Sequence, residues 1–395
     1  MRTFGISAIL AAVLYTSSLP FWMGEGKWVH DSERPVPDIP VRTGGRGCCV
    51  LGRNIRADIA GIPVPFVNVT RIGRPDELGP HRYDAAWGAF DDPRGNAFPL
   101  GEANFLIYTC RGGFIDTAHL REPVDWIAFF LSQLDRHLEE GTVVRLPNEG
   151  GARRVIIRAV PESLIRRNGR DEIMIATAQW IAHQLGIWHE IVQWYGISML
   201  KAFPETASGF SPEDLYSNAV GLRLMDGVDF RRQLVSEITY DRFIDELLAN
   251  GLRALDPVPQ SVGERAIGEL DQLWWDSNVR LPRREVVLRR YLDADDALSP
   301  WLFPERHASP ELRAQLEEAC GPRPEPYTVR IPDALQGFAI RDYVTLEFTL
   351  DGTLAGIPVF DSLGPRFDQE AFPTVMKAAA IDVRDKLGPR ADRPD

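Results

Sequence analysis

Residues 175–196 read IATAQWIAHQLGIWHEIVQWYG. The stretch is apolar at most positions, yet it holds His183, His189 and Glu190. Steps of three and four residues put Ile173, Ala176, Trp180, His183, Ile187, Glu190 and Trp194 on one stripe of a helix. A second stripe carries Met174, Ala178, Ile181, Leu185, Trp188, Val192 and Tyr195. A helix that is apolar nearly all round is a buried one. It opens after the turn RNGR and closes at Gly196. Burial then sets the chemistry, because a lone buried carboxylate is costly: Glu190 must pair with an arginine, hold its proton or meet a metal. His183 and Glu190 lie seven apart and share a face. His189-Glu190 starts like the zincin pattern H-E-x-x-H, but position 193 is Gln and no second His follows, so that motif is absent.

Upstream, TVVRL (142–146) and ARRVIIRAV (152–160) flank PNEGG, a hairpin signal. NFLIYT (104–109) reads as a buried strand running into CRGGF. REPVDWIAFFLSQLDRHLEE (121–140) reads as an amphipathic helix with Pro123 in its first turn, where the missing N–H costs nothing. Downstream, residues 210–292 have helical patterning. FSPEDLYSN starts a helix there, with Ser211 as cap, Pro212 at the first position and acids in the first turn. Two strand-like runs, YTVRIP (327–332) and YVTLEFTLDGTLAGIPVF (343–360), precede a last amphipathic helix near 368–387. The expected fold is α+β: a helix-dominated single large domain with a small antiparallel hairpin and C-terminal strands. The expected divisions are 1–23 as signal peptide or N-terminal anchor, 24–66 as an extended lead-in, 67–350 as the main domain and 351–395 as a C-terminal extension.

The 395-residue chain is 44% hydrophobic and 25% charged, which is ordinary for a globular protein large enough to bury a sizeable core. A net charge of −12 argues against nucleic acid as a partner. Ten Trp and nineteen Phe point to aromatic packing ahead of a cleft for sugars or acyl chains. The N-terminal MRTFGISAILAAVLYTSSLPFWMGEG places one Arg before an apolar run and the small residues Thr16, Ser17 and Ser18. This predicts export, with the protein periplasmic or membrane-anchored facing the periplasm. Cys48, Cys49, Cys110 and Cys320 suit an oxidising compartment. Three full pairings are open, and Cys110 with Cys48 or Cys49 is the one expected. The absence of C-x-x-C disfavours a zinc knuckle.

The densest chemistry lies in YTCRGGFIDTAHLR (108–121), where Cys110, Arg111, Asp116, His119 and Arg121 fall within twelve residues. Gly112-Gly113 would turn the backbone between strand and helix, leaving Cys110 near amides that lower a thiol's pKa. Asp116 and His119 are three apart and would meet on one helical face. Three readings follow. In one, Asp116 and His119 join His189 and Glu190 around a divalent metal such as zinc. In another, Cys110 is a papain-like nucleophile with His81, in LGPHRY, as base. In the third, Cys110 is in a disulfide and Asp116 caps the following helix. His30, His137 and His307 sit in polar contexts and carry no role.

NFLIYTCRGGFIDTAHLR, WHEIVQWYG and FSPEDLYSN, with GCCVLGRNI and IPVPFVNV upstream, resemble a bacterial family of exported proteins, domain of unknown function family 4056. The resemblance covers roughly residues 45–350. It implies an envelope protein, often lipid-anchored, although this chain lacks the lipid-attachment Cys; no activity is established for the family, so no catalytic role transfers. The expected function is an envelope hydrolase or acyl-transfer enzyme using the Cys110, Arg111, Asp116, His119, His189 and Glu190 region on an envelope lipid or glycan. The rival is a non-catalytic envelope binding or scaffold protein.

Overall fold

Leu106–Thr109 (β1) and Gly113–Asp116 (β2) pair antiparallel, with Leu106 opposite Asp116 and Thr109 opposite Gly113. The chain then passes without a loop into Thr117–His137 (α1). Asp116 is the N-cap of α1, its Oδ1 accepting from Ala118 N at 2.7 Å. The Gly112-Gly113 turn therefore joins two strands, not a strand and a helix. Helix α1 starts four residues before the expected start at Arg121, so Pro123 lies inside it and not in the first turn. The cause is Asp116: a side chain that satisfies an orphan amide starts the helix before the proline is reached.

The structure, a computed structural model, describes residues 34–43, 45–47, 49–59, 62–64, 71–84, 102–196, 205–292, 297–322 and 324–391. The export segment 1–23, His30 and Cys48 lie outside the described residues. Among those described, no helix is long and apolar enough to cross a membrane.

The hairpin of Thr142–Leu146 (β3) and Gly151–Ile157 (β4) forms where expected. It joins Val344–Leu350 (β5) and Arg366–Asp368 (β6) in one antiparallel sheet of order β6-β5-β4-β3. The sequence-predicted hairpin and one of the C-terminal strand runs are thus a single layer, and the mixed α+β domain is helix-dominated as expected. The apolar helix of the opening stretch, Arg170–Trp194 (α2), lies between that sheet and the other helices. It packs on α1, on Asp214–Leu224 (α3) and on Phe372–Leu387 (α6 below). Trp188 is fully buried, 4.4 Å from the Phe348 ring and stacked on Phe372, so the aromatic content serves packing here. Helices α1 and α3 cross closely at Gly221, where a Cβ would fall 2.3 Å from Leu120 O.

Ser211 does not cap α3. That helix begins at Asp214 with Glu213 at the N-cap position, and Ser211 Oγ donates to Glu213 Oε2 at 2.8 Å. Glu237–Ala254 (α4) and Pro310–Cys320 (α5) follow before α6 closes the chain.

The lead-in is built into the core. Val36 N donates to Asp135, Ile39 N to Ser132, Arg42 to Glu122, Arg46 to Asp125 and Cys49 N to Asp116. From Val36 to Cys49 the partners run from Asp135 back to Asp116, so the two segments are antiparallel overall. Arg42 and Arg46 are buried. Arg46 also binds Glu102 at 2.7 Å, and His81 and Tyr240 bond Asp125 at 2.9 and 2.6 Å. Burial alone would raise the Asp125 carboxyl, but Arg46 and His81 outweigh it and hold it well below the usual range.

Candidate metal centre

Helices α1, α2 and α3 each bring ionisable side chains to one buried point. Helix α1 supplies His119, one turn after the cap Asp116. His119 Nε2 lies 3.2 Å from Glu190 Oε1 on α2. A ring nitrogen of His189 is within 4.8 Å of both ligand-type atoms. On the other edge of the imidazole, His119 Nδ1 is 3.2 Å from Asp116 Oδ2 and 3.4 Å from Asp214 Oδ1. His119, His189 and Glu190 thus meet at one edge of the His119 ring, and Asp116 and Asp214 stand at the other. Glu190 Oε2 accepts from Phe210 N at 2.7 Å, and among the described residues no arginine bridges it. His183 does not join: it is buried, its Nε2 makes no hydrogen bond among the described residues, and burial lowers its pKa to about 4.

Sequence reasoning missed the residues that hold the two imidazoles. Glu149, in the turn of the β3–β4 hairpin, bonds His189 Nδ1 at 2.6 Å. It also bonds Arg153, and although burial would raise the Glu149 carboxyl, Arg153 and His189 together hold it at about 2. Asp214 and Glu213 were legible only as acids at a helix start. Burial raises the Glu213 carboxyl to about 8 against the hydrogen bond from Ser211, and Asp116 adds to the rise. Arg290 faces this group; burial lowers its guanidinium to about 9 against the pull of Asp214, and its N–H groups go to the carbonyls of Ala207, Gly209, Arg284 and Val287.

A cleft of about 70 Å³ opens onto His119 and His189. Arg42 and Arg46 from the lead-in, Glu122 from α1, Glu149 and Arg153 from the hairpin, and Asn218 from α3 line it. Asp116, Asp214 and Glu190 are not in its lining; they lie behind the imidazoles, fully buried. The arrangement can hold a cation at His119 Nε2, His189 and Glu190, with Glu149 bonded to His189 Nδ1 and Asp116 and Asp214 near His119 Nδ1.

The thiol reading is overturned. Cys110 is bonded to Cys320, the last residue of α5, with Cα atoms 5.3 Å apart. It is not bonded to Cys48 or Cys49 as expected, and Cys49 instead sits buried with its N–H on Asp116. His81 serves elsewhere, its Nε2 on Asp125 and its Nδ1 3.3 Å from Arg121. Arg111 is not in the cleft lining; its Nε reaches Glu325 O at 3.4 Å and its guanidinium lies over the Tyr327 ring.

A family described as protein of unknown function (DUF4056) matches residues 25–304. The match begins in the lead-in and so includes Arg42 and Arg46 as well as every side chain of the cluster. No curated protein and no solved structure matches the chain.

Proposed function

The chain belongs to the DUF4056 family, and from that premise and the buried cluster we propose that it is an exported, metal-dependent hydrolase or acyl-transfer enzyme. His119 Nε2, His189 Nε2 and Glu190 Oε1 are the ligands in this reading, with a divalent ion such as zinc. Asp116 and Asp214 orient His119 through Nδ1, and Glu149 orients His189 through Nδ1. The observation that carries the reading is that a carboxylate stands behind each imidazole while a third, Glu190, stands between them. Three protein ligands, of which the two imidazoles face the cleft, leave a coordination position for water or substrate, as catalytic sites require.

Electrostatics points the same way. Asp116, Glu190 and Asp214 are three buried carboxylates, and Arg290 is the guanidinium that faces them. Burial raises Glu213 beside them to about 8. Buried carboxylates gathered around one imidazole favour a cation beside it. The Gln193 amide now 2.9 Å from His189 Nε2 would give way to the ion.

Export is supported by the apolar N-terminal run and by the Cys110–Cys320 disulfide. In this reading the substrate is an envelope lipid or glycan. Elemental analysis of the purified chain tests the proposal: about one equivalent of a divalent metal is expected, lost in His119→Ala with the fold retained. A wild-type protein that takes up no metal and cleaves neither esters nor amides would favour the envelope scaffold instead.

A further inference from the structure

We propose that Asn218 is a further catalytic residue of this centre, donating from its side-chain amide to the carbonyl oxygen of a neutral ester or amide substrate. The inference rests on the metal-centre reading above and adds a residue and a substrate class to it.

Asn218 is one turn beyond Asp214 on α3, so the two share a face of that helix. Asp214 approaches His119, and Asn218 lines the cleft beside it. Its side chain belongs to a residue only 5% exposed, yet no hydrogen bond among the described residues engages its amide. On the facing wall, Gly186 lies one turn before His189 on α2. A Cβ at position 186 would fall 3.2 Å from Asn218 Nδ2. A glycine inside a long helix is destabilising relative to alanine, and here its missing side chain is what admits the amide. Asn218 therefore lines the cleft opposite α2, with its Nδ2 beside Gly186, one turn from His189.

The charged groups of the cleft select the substrate class. Arg42 is bound to Glu122, Arg46 to Glu102 and Asp125, and Arg153 to Glu149. A phosphate would have to compete with those carboxylates for its contacts. A neutral carbonyl requires only one well-placed N–H donor and a site for the attacking water. In the step proposed, the water oxygen bonds to the carbonyl carbon, and negative charge gathers on the oxygen that faces Asn218 Nδ2. The C–O or C–N bond then breaks, and the proton released by the water leaves with the alkoxide or amine. The products are a carboxylic acid and an alcohol or amine.

The test uses the zinc-loaded full chain with p-nitrophenyl acetate and bis(p-nitrophenyl) phosphate as probes. Wild-type protein should cleave the acetate ester and not the phosphodiester. Asn218→Ala should keep its zinc while kcat falls about 100-fold with KM little changed, the usual cost of one oxyanion donor. Asn218→Leu, closer in volume and equally without a donor, serves if the alanine variant does not fold. Gly186→Ala, which crowds the amide, should lie between wild type and Asn218→Ala. Turnover by Asn218→Ala within twofold of wild type, loss of its zinc, or cleavage of the phosphodiester in preference to the ester would each overturn the assignment. A wild-type chain that binds no zinc would instead remove the metal centre itself, and the role of Asn218 with it.

Discussion

His119 Nε2 and Glu190 Oε1 stand 3.2 Å apart across 71 residues of chain, and that contact ties α1 to α2 at a point with three further acids close by. Removing the Glu190 charge should therefore do opposite things with and without metal. Glu190→Gln can still accept from Phe210 N and can donate to His119, while one negative charge leaves the cluster. Its metal-free form is expected to melt at or above the wild-type temperature. Wild type alone should then gain on adding zinc, by about 3 kcal/mol at a hundredfold excess over Kd. Thermal unfolding of both proteins with and without zinc reads this directly. A metal-free variant less stable by about 1 kcal/mol or more would mark the pair as structural.

The disulfide makes a separate prediction. Cys110 and Cys320 join the tip of the β1–β2 turn to the end of α5, across 210 residues of sequence. Cys320→Ser should cost about 2–5 kcal/mol, a typical loss for a native bridge. Mass mapping of the unreduced protein should yield the linked 110/320 peptides. A 110/49 pair would contradict the arrangement.

His183 gives a pH dependence whose sign can be worked out. In the unfolded chain its imidazole has its ordinary pKa of 6.5; in the folded protein burial lowers it to about 4. Between those values the unfolded state binds a proton that the folded state refuses. Stability from this group is thus complete above pH 6.5 and falls as pH drops toward 4, with no further loss below. The loss across that range is about 3 kcal/mol. His183→Leu should lose less stability than wild type between pH 7.5 and 4.5 in urea titrations. Equal losses in the two proteins would show that His183 is not buried neutral.

What could be read in advance followed locality. The burial of α2 and the β3–β4 hairpin are written in the spacing of apolar residues within single segments. Asp116 and His119 were visible as a pair because three residues on one helix must be neighbours. The start of α1 was missed because β2 is only four residues long and hands its last residue to the helix as a cap. Ser211 looked like a cap by its local pattern but is bonded to Glu213 instead. Glu149, Asp214 and Asn218 had no local signal for their placement: each comes near the two imidazoles only because distant segments pack. The same holds for Cys320, since cysteine count alone leaves the pairing open.

Arg46 carries the last prediction, because its segment reads as an extended lead-in and its side chain behaves as core. The guanidinium is buried, with Nε on Glu102 Oε2 at 2.7 Å and Nη1 on Asp125 Oδ2 at 2.9 Å. Burial by itself would lower its pKa, yet Glu102 and Asp125 raise it well above the ordinary value. Burial would raise Glu102 in turn, but Arg46 and Arg121 hold it at about 2. Neither carboxylate could shed its charge cheaply if the arginine were gone. Removing one partner of a buried ion network costs about 3–5 kcal/mol, because the remaining charges lose their compensation without regaining water. Arg46→Met should therefore destabilise the protein by that amount, although it keeps much of the side-chain volume. Arg74→Met is the control: Arg74 is half-exposed and its partner Asp76 is largely so, and exposed pairs of this kind contribute about 0–1 kcal/mol. Urea unfolding at pH 7 compares the two. A loss below about 1 kcal/mol for Arg46→Met would mean that residues 34–49 merely lie on α1, and the cleft wall they form would then be free to move.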